Sequence, residues 1–224
     1  MRLVLPLLAL LLAACAPPAG PPRLRTVVTL GDSVPAGTAC GCDPFPTVYA
    51  RAQQAIDINL AEPGSSAADV RTAVPADRDV LATAAEVIIM IGANDMAASF
   101  DDPSSYAAVA TGIETEVAAS VTAIEQLHPV PVIVLGYWNV VLDGKVGAAR
   151  YGPAGTRAAT QATVAVNRAL QSAAARSGAT YIATLPAFHG PDGHQDPTAL
   201  LAPDGDHPNA AGQAAIAALL PTLA

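Results

Sequence analysis

Ser33 in "GDS", Gly64 in "NLAEPGSS", Asn94 in "GAND", and Asp204 and His207 in "DGDHPN" are the residues whose types and spacing could do chemistry. A serine at a strand end offers a hydroxyl to a reacting carbonyl. A glycine lets a backbone N–H approach a ligand with no side chain in the way. An asparagine amide adds a second donor. A nucleophile under convergent N–H donors is what acyl transfer to water requires, because negative charge develops on the carbonyl oxygen. The hydroxyl keeps its proton at neutral pH unless a base stands within about 3 Å. His207 follows Asp204 by three residues, and Pro208 favours extended backbone before it. That spacing lets the Asp204 carboxylate reach Nδ1 and leaves Nε2 for the serine. Asp206, next in the chain, is expected to point away from the imidazole. His128 precedes "PVPV" and reads as a surface residue at a helix end, while His189 and His194 sit in "FHGPDGHQD".

These residues need a frame that brings distant segments together. From Arg25 onward, β-branched runs alternate with alanine-rich stretches. Strands are predicted at 26–30, 56–60, 86–91, 131–137 and 180–184, several without polar alternation, as befits strands covered on both faces. Helices are predicted near 46–55, 66–73, 104–127, 156–177 and 210–220, the last capped by Asn209 and stopped by Pro221. This alternation implies an α/β fold, a mainly parallel five-stranded sheet between helical layers. In the strand order 2-1-3-4-5, the loops after strands one, two and three meet at the carboxyl edge. The stretch 138–155 reads as a long loop after the fourth strand, and Trp138, Asn139 and Tyr151 in it could form a wall of the substrate pocket. The alternative is that Trp138 only packs that loop against the sheet.

At 224 residues, with 52% hydrophobic and 13% charged side chains, the chain has ample material for one core. A net charge of −8 without any Lys/Arg-rich run gives no footprint for nucleic acid. Arg2 and the apolar run after it, too short to span a bilayer, read as an export signal over residues 1–14. "LAAC" resembles a lipobox in which Cys15 is lipidated, with a Pro-rich spacer over 15–24 and the folded domain over 25–224. The expected location is then the bacterial cell envelope. Cleavage at an Ala-x-Ala site would instead release a soluble secreted protein. Cys40 and Cys42 remain for a disulfide in an oxidising compartment, tight across one glycine. Half of a metal site is the other reading, with no second cysteine pair to complete it.

"GDSVPAG", Gly64 after the second strand, "GAND" and "DGDHPN", in that order, resemble the four signature blocks of the SGNH, or GDSL, hydrolase family. The resemblance implies a flavodoxin-like three-layer α/β/α sandwich and ester hydrolysis through an acyl-serine intermediate. It assigns Ser33 as nucleophile, His207 as base and Asp204 as its orienting partner. The Ser33 N–H, the Gly64 N–H and the Asn94 side chain become the oxyanion hole, with Asp32 and Asp95 shaping their loops. It implies a monomer acting on a small ester (short-acyl, acetylated sugar or lysophospholipid type), with no metal and no cofactor.

Two rivals stand beside this reading. His189, Asp192, His194, Asp196, Asp204, Asp206 and His207 crowd the 189–207 stretch and could serve a metal-dependent hydrolase, although no H-E-x-x-H or EF-hand spacing is present. A non-catalytic, carbohydrate-binding surface lipoprotein on the same fold is the other, but such proteins usually lose the nucleophile or the base.

Overall fold

The structure, a computed structural model, describes residues 24–223. The predicted signal, Cys15 and all but the end of the spacer lie outside those residues. The five strands are β1 (Thr26–Gly31), β2 (Ile56–Asn59), β3 (Glu86–Met90), β4 (Val132–Leu135) and β5 (Thr180–Ile182). All pairings are parallel and the order is β2-β1-β3-β4-β5, as predicted. Every residue of β3 and β4 is buried, whereas the edge strands β2 and β5 are only partly covered. That gradient explains the unbroken apolar runs at the centre. Burying one such Ile or Val stabilises the fold by about 1.5–3 kcal/mol.

The helices are α1 (Phe45–Ala52), α2 (Ala67–Ala73), α3 (Arg78–Leu81), α4 (Ala93–Ala97), α5 (Tyr106–Leu127), α6 (Gly144–Ser177), α7 (Leu185–His189) and α8 (Ala210–Ala217). The pair α1 and α8 packs together, and α2, α5 and α6 form a second group. This is the doubly wound arrangement expected from the alternation. Strand β1 runs one residue further than predicted, to Gly31, whereas β2 to β5 end earlier, since the chain leaves the sheet at the carboxyl edge to build loops. Likewise α8 ends at Ala217, before Pro221 is reached.

Two expectations fail locally. The stretch 138–155 is not one long loop. The Asp143 side chain accepts from the Gly144 N–H at 2.7 Å and opens α6 there. The helix is broken only at Gly152 (φ 62°), after which Pro153 restarts it. Tyr151 therefore lies on a helix. "GAND" is likewise not an irregular loop, because Ala93, Asn94 and Asp95 form the first turn of the short α4. Cys40 and Cys42 are joined as a disulfide across Gly41, in the turn between Ser33 and α1.

Candidate active site

The turn after β1 places Ser33 at the carboxyl edge. Asp32 is 1% exposed, and its Oδ1 accepts from the Val34 N–H at 3.0 Å, which pins the turn. The Ala36 N–H donates to the Asp32 carbonyl and the Thr38 N–H to that of Ser33, curling the chain so that the serine side chain stays partly open. The Ser33 and Gly64 N–H groups donate to no other group among the described residues.

The base arrives from the far end of the chain. Residues 201–208 double back on themselves. Leu201 bridges Pro208, the Ala202 N–H donates to the His207 carbonyl at 2.7 Å, and Gly205 (φ 72°) makes the bend. A side chain at Gly205 would also collide with Val146 of α6, so the bend is closed against that helix. Within this loop Asp204 Oδ1 accepts from the N–H groups of Asp206 and His207, at 3.0 and 3.1 Å. Its Oδ2 receives His207 Nδ1–H at 2.8 Å, and His207 Nε2 lies 2.9 Å from Ser33 Oγ. Burial alone would raise the Asp204 carboxyl, but the Asp206 N–H, the His207 ring and the His207 N–H outweigh it and hold the group below its ordinary range. Asp204 thus stays an anion that accepts from Nδ1, so that in the neutral imidazole it is Nε2 that offers its lone pair to the serine.

Asn209 anchors the loop to α8. Its Oδ1 caps the N–H groups of Ala211 and Gly212, while its amide donates to the carbonyls of Ala199 and Leu201. One turn later Gln213, fully buried, accepts from the Phe45 N–H at 2.8 Å and donates to the Val34 carbonyl at 3.1 Å. Gln213 therefore ties the element carrying the histidine to the turn carrying the serine.

The donors assemble in the same way. Asn94 Nδ2 donates one hydrogen to the Ser65 carbonyl at 2.9 Å, joining α4 to the Gly64 loop and leaving its second hydrogen uncommitted among the described residues. Asp95 accepts from the Ala67 N–H at 3.0 Å and so docks the start of α2 against α4. Gly64 itself is exposed, with φ 87°.

A cleft of about 430 Å³ is lined by Ser33, His207 and Asn94, together with Trp138, Asn139 and Tyr151, while Gly64 is not in its lining. Trp138 is 2% exposed and stacks on Phe188 of α7 with centroids 4.1 Å apart, so it both packs against a helix and lines the cleft. Asn139 accepts from the Val140 N–H and from the Thr163 hydroxyl. Tyr151 meets Phe100 at 5.0 Å across the cleft rim. Asp206 does not bond the imidazole, yet it lines the cleft instead of turning away from it, as do Phe100, Asp101 and Arg150. Phe100, Asp101 and Arg150 were not singled out in the sequence. Nor was Tyr137, whose hydroxyl donates to Asp32 Oδ2. Burial is the chief cause that lifts the Asp32 carboxyl to about 6, against the opposing bonds from Tyr137 and Val34.

The histidines and aspartates of 189–207 disperse. His189 Nε2 pairs with Asp143 at 2.9 Å, Asp192 accepts from the His194 N–H, and Asp196 caps a short 3-10 turn at Pro197–Leu200. Among the described residues, no three His, Cys, Asp or Glu side chains converge as metal ligands.

Fold and site define a class, that of ester-hydrolysing enzymes built on a parallel α/β/α sandwich. Within that class, the profile of the GDSL-like lipase/acylhydrolase family matches residues 29–215, and the chain belongs to this family. Solved structures agree on the fold. A lipase from a goat rumen metagenome is 18% identical, with a TM-score of 0.71, covering 87% of this chain and 94% of its own. A phospholipase A1 from Streptomyces albidoflavus is 20% identical, with a TM-score of 0.62, covering 88% and 100%. An acetylxylan esterase from Geobacillus stearothermophilus is 19% identical, with a TM-score of 0.62, covering 87% and 91%. No curated protein matches the chain.

Proposed function

We propose that the chain hydrolyses carboxylic esters through an acyl-serine intermediate, with Ser33 as nucleophile, His207 as general base and Asp204 as its orienting anion. The unbroken run from Asp204 Oδ2 through both imidazole nitrogens to Ser33 Oγ is the observation that supports this reading most directly. His207 Nε2 takes the Ser33 proton as Oγ bonds to the ester carbon. The N–H groups of Ser33 and Gly64 and the free amide hydrogen of Asn94 are assigned to the oxyanion. Nε2 then returns the proton to the leaving alcohol, and a water activated by the same imidazole releases the acid.

The cleft supports short-acyl esters of polar alcohols, acetylated sugars among them, over long-chain lipids. Its volume is about 430 Å³, and Asp101, Asn139, Arg150 and Asp206 supply hydrogen-bonding groups beside the Phe100–Tyr151 rim. The existence of an acetylxylan esterase on the same fold is compatible with this substrate class. Export and anchoring to the cell envelope through a lipidated Cys15 are part of the same proposal, on the strength of the "LAAC" segment.

The test is hydrolysis of p-nitrophenyl acetate, butyrate, octanoate and palmitate by the wild type and by Ser33→Ala. The shortest esters should turn over fastest, and Ser33→Ala should lose at least about 10³-fold in kcat. Full activity in Ser33→Ala would overturn the mechanism. A rate climbing toward palmitate would overturn the substrate class alone.

A further inference from the structure

Asp32 is a buried carboxylate that the reaction above does not use. It precedes the nucleophile in the chain, and both of its oxygens face donors: Oδ1 the Val34 N–H at 3.0 Å, Oδ2 the Tyr137 hydroxyl. Tyr137 is equally buried, at 1% exposed, and its one hydrogen goes to Asp32. With both carboxylate oxygens accepting, the bonds around Asp32 favour its anion against the burial that opposes it.

That anion stands in a cluster with defined charges. It shares the cleft lining with His207 and Asp206 of the 201–208 loop, the first favouring its charge and the second opposing it. From the segment after β4 it faces Tyr137, and Asp95 on α4 adds negative potential at that tyrosine. The Tyr137–Asp32 bond also links the segment after β4 to the turn that bears Ser33.

We propose that ionised Asp32, held by Tyr137, is a positioning residue of the hydrolysis, supplying besides Asp204 a second negative charge against which the His207 imidazolium forms. The inference rests on the Ser33–His207 chemistry proposed above. It requires two groups to be deprotonated for full activity, the imidazole and Asp32. Burial places the Asp32 carboxyl at about 6, within the range that activity assays cover. Acid then removes the base and its second counter-charge together.

The measurement is kcat/KM for p-nitrophenyl acetate from pH 4 to 8. The wild type should lose activity on the acid side. Asp32→Asn keeps the shape and cannot ionise, so its plateau should drop by about tenfold, the rate equivalent of one pKa unit of lost charge stabilisation, and its acid limb should move to lower pH because the resting imidazolium loses the same counter-charge. Tyr137→Phe removes a bond that favours the Asp32 anion, so one of the two ionisations should move to higher pH. The double variant should match Asp32→Asn in midpoint. An acid limb in Asp32→Asn with the wild-type midpoint, at whatever rate, would overturn the proposal. Should Asp32→Asn not fold, Tyr137→Phe decides, and an unmoved acid limb there refutes it. A Ser33→Ala variant as active as wild type would instead defeat the underlying reading of the site.

Discussion

Gln213→Met tests whether one buried amide holds the two halves of the site in register. Methionine preserves side-chain length and approximate volume, so the change is chiefly the loss of two hydrogen bonds, 2.8 Å from the Phe45 N–H and 3.1 Å to the Val34 carbonyl. The Phe45 N–H stays buried without a partner, whereas the Val34 carbonyl keeps the Gly37 N–H at 3.1 Å. An unsatisfied group costs about 1–3 kcal/mol and a lost ordinary bond about 0.5–1.5, so roughly 1.5–4.5 kcal/mol of folding stability should be lost. For a domain of this size that is a fall of roughly 3–18 °C in Tm. Urea unfolding followed by circular dichroism gives the free energy, and a thermal melt gives Tm. The folded fraction should also show a lower kcat on p-nitrophenyl acetate, because Val34 adjoins Ser33 and α8 follows His207. Gln213→Glu adds a sign. A buried glutamic acid can donate to Val34 only when protonated, so its folded-state pKa is raised. That variant should be most stable below about pH 4 and lose stability as pH rises from there toward its raised pKa. A Gln213→Met protein within about 0.5 kcal/mol of wild type, the ordinary scatter of surface substitutions, would refute the claim that these bonds couple the elements.

The His189–Asp143 pair sets a pH dependence of stability. The bond from the Asp143 carboxylate raises the His189 pKa above its ordinary value, against the opposing effect of burial. The stabilisation is therefore complete below about pH 6.5, the unfolded value, and disappears as pH rises through the raised folded value. Melts from pH 5 to 8 should show this decline in the wild type and a weaker one in His189→Gln, and parallel curves would exclude the pair as its source. For the anchor, fractionation of cells expressing the full chain should find the wild type with membranes and Cys15→Ser in the soluble fraction. Equal partition of the two would count against lipidation at Cys15.

Much of this architecture is legible in local sequence. The apolar runs around Val27–Leu30, Val87–Ile91 and Val132–Leu135 announce central strands, because strands covered on both faces need no polar alternation. The Asp204–His207 contact is similarly local, three residues apart within one bend. The stretch 138–155 misled because its glycines and proline look like loop punctuation. Asp143 in fact opens a helix there, and only Gly152 interrupts it. Gln213 and Tyr137 left little trace in the sequence. A single glutamine in an alanine-rich helix, or a tyrosine after a strand, reads equally well as surface or as core. A lone amide inside an otherwise apolar helical face was the one available signal.

The sequence by itself determined which segments are strands and which chemical groups stand at their ends, since these follow from hydrophobic period, turn chemistry and short-range spacing, while the strand order was supplied by the common doubly wound pattern. Only the tertiary structure decided which distant groups complete one another: Tyr137 with Asp32, Asn94 with Ser65, Gln213 with Phe45 and Val34. Those bonds join elements far apart in the chain. They exist because packing the layers buries polar groups that must then find partners, and no local pattern records which partner each one meets.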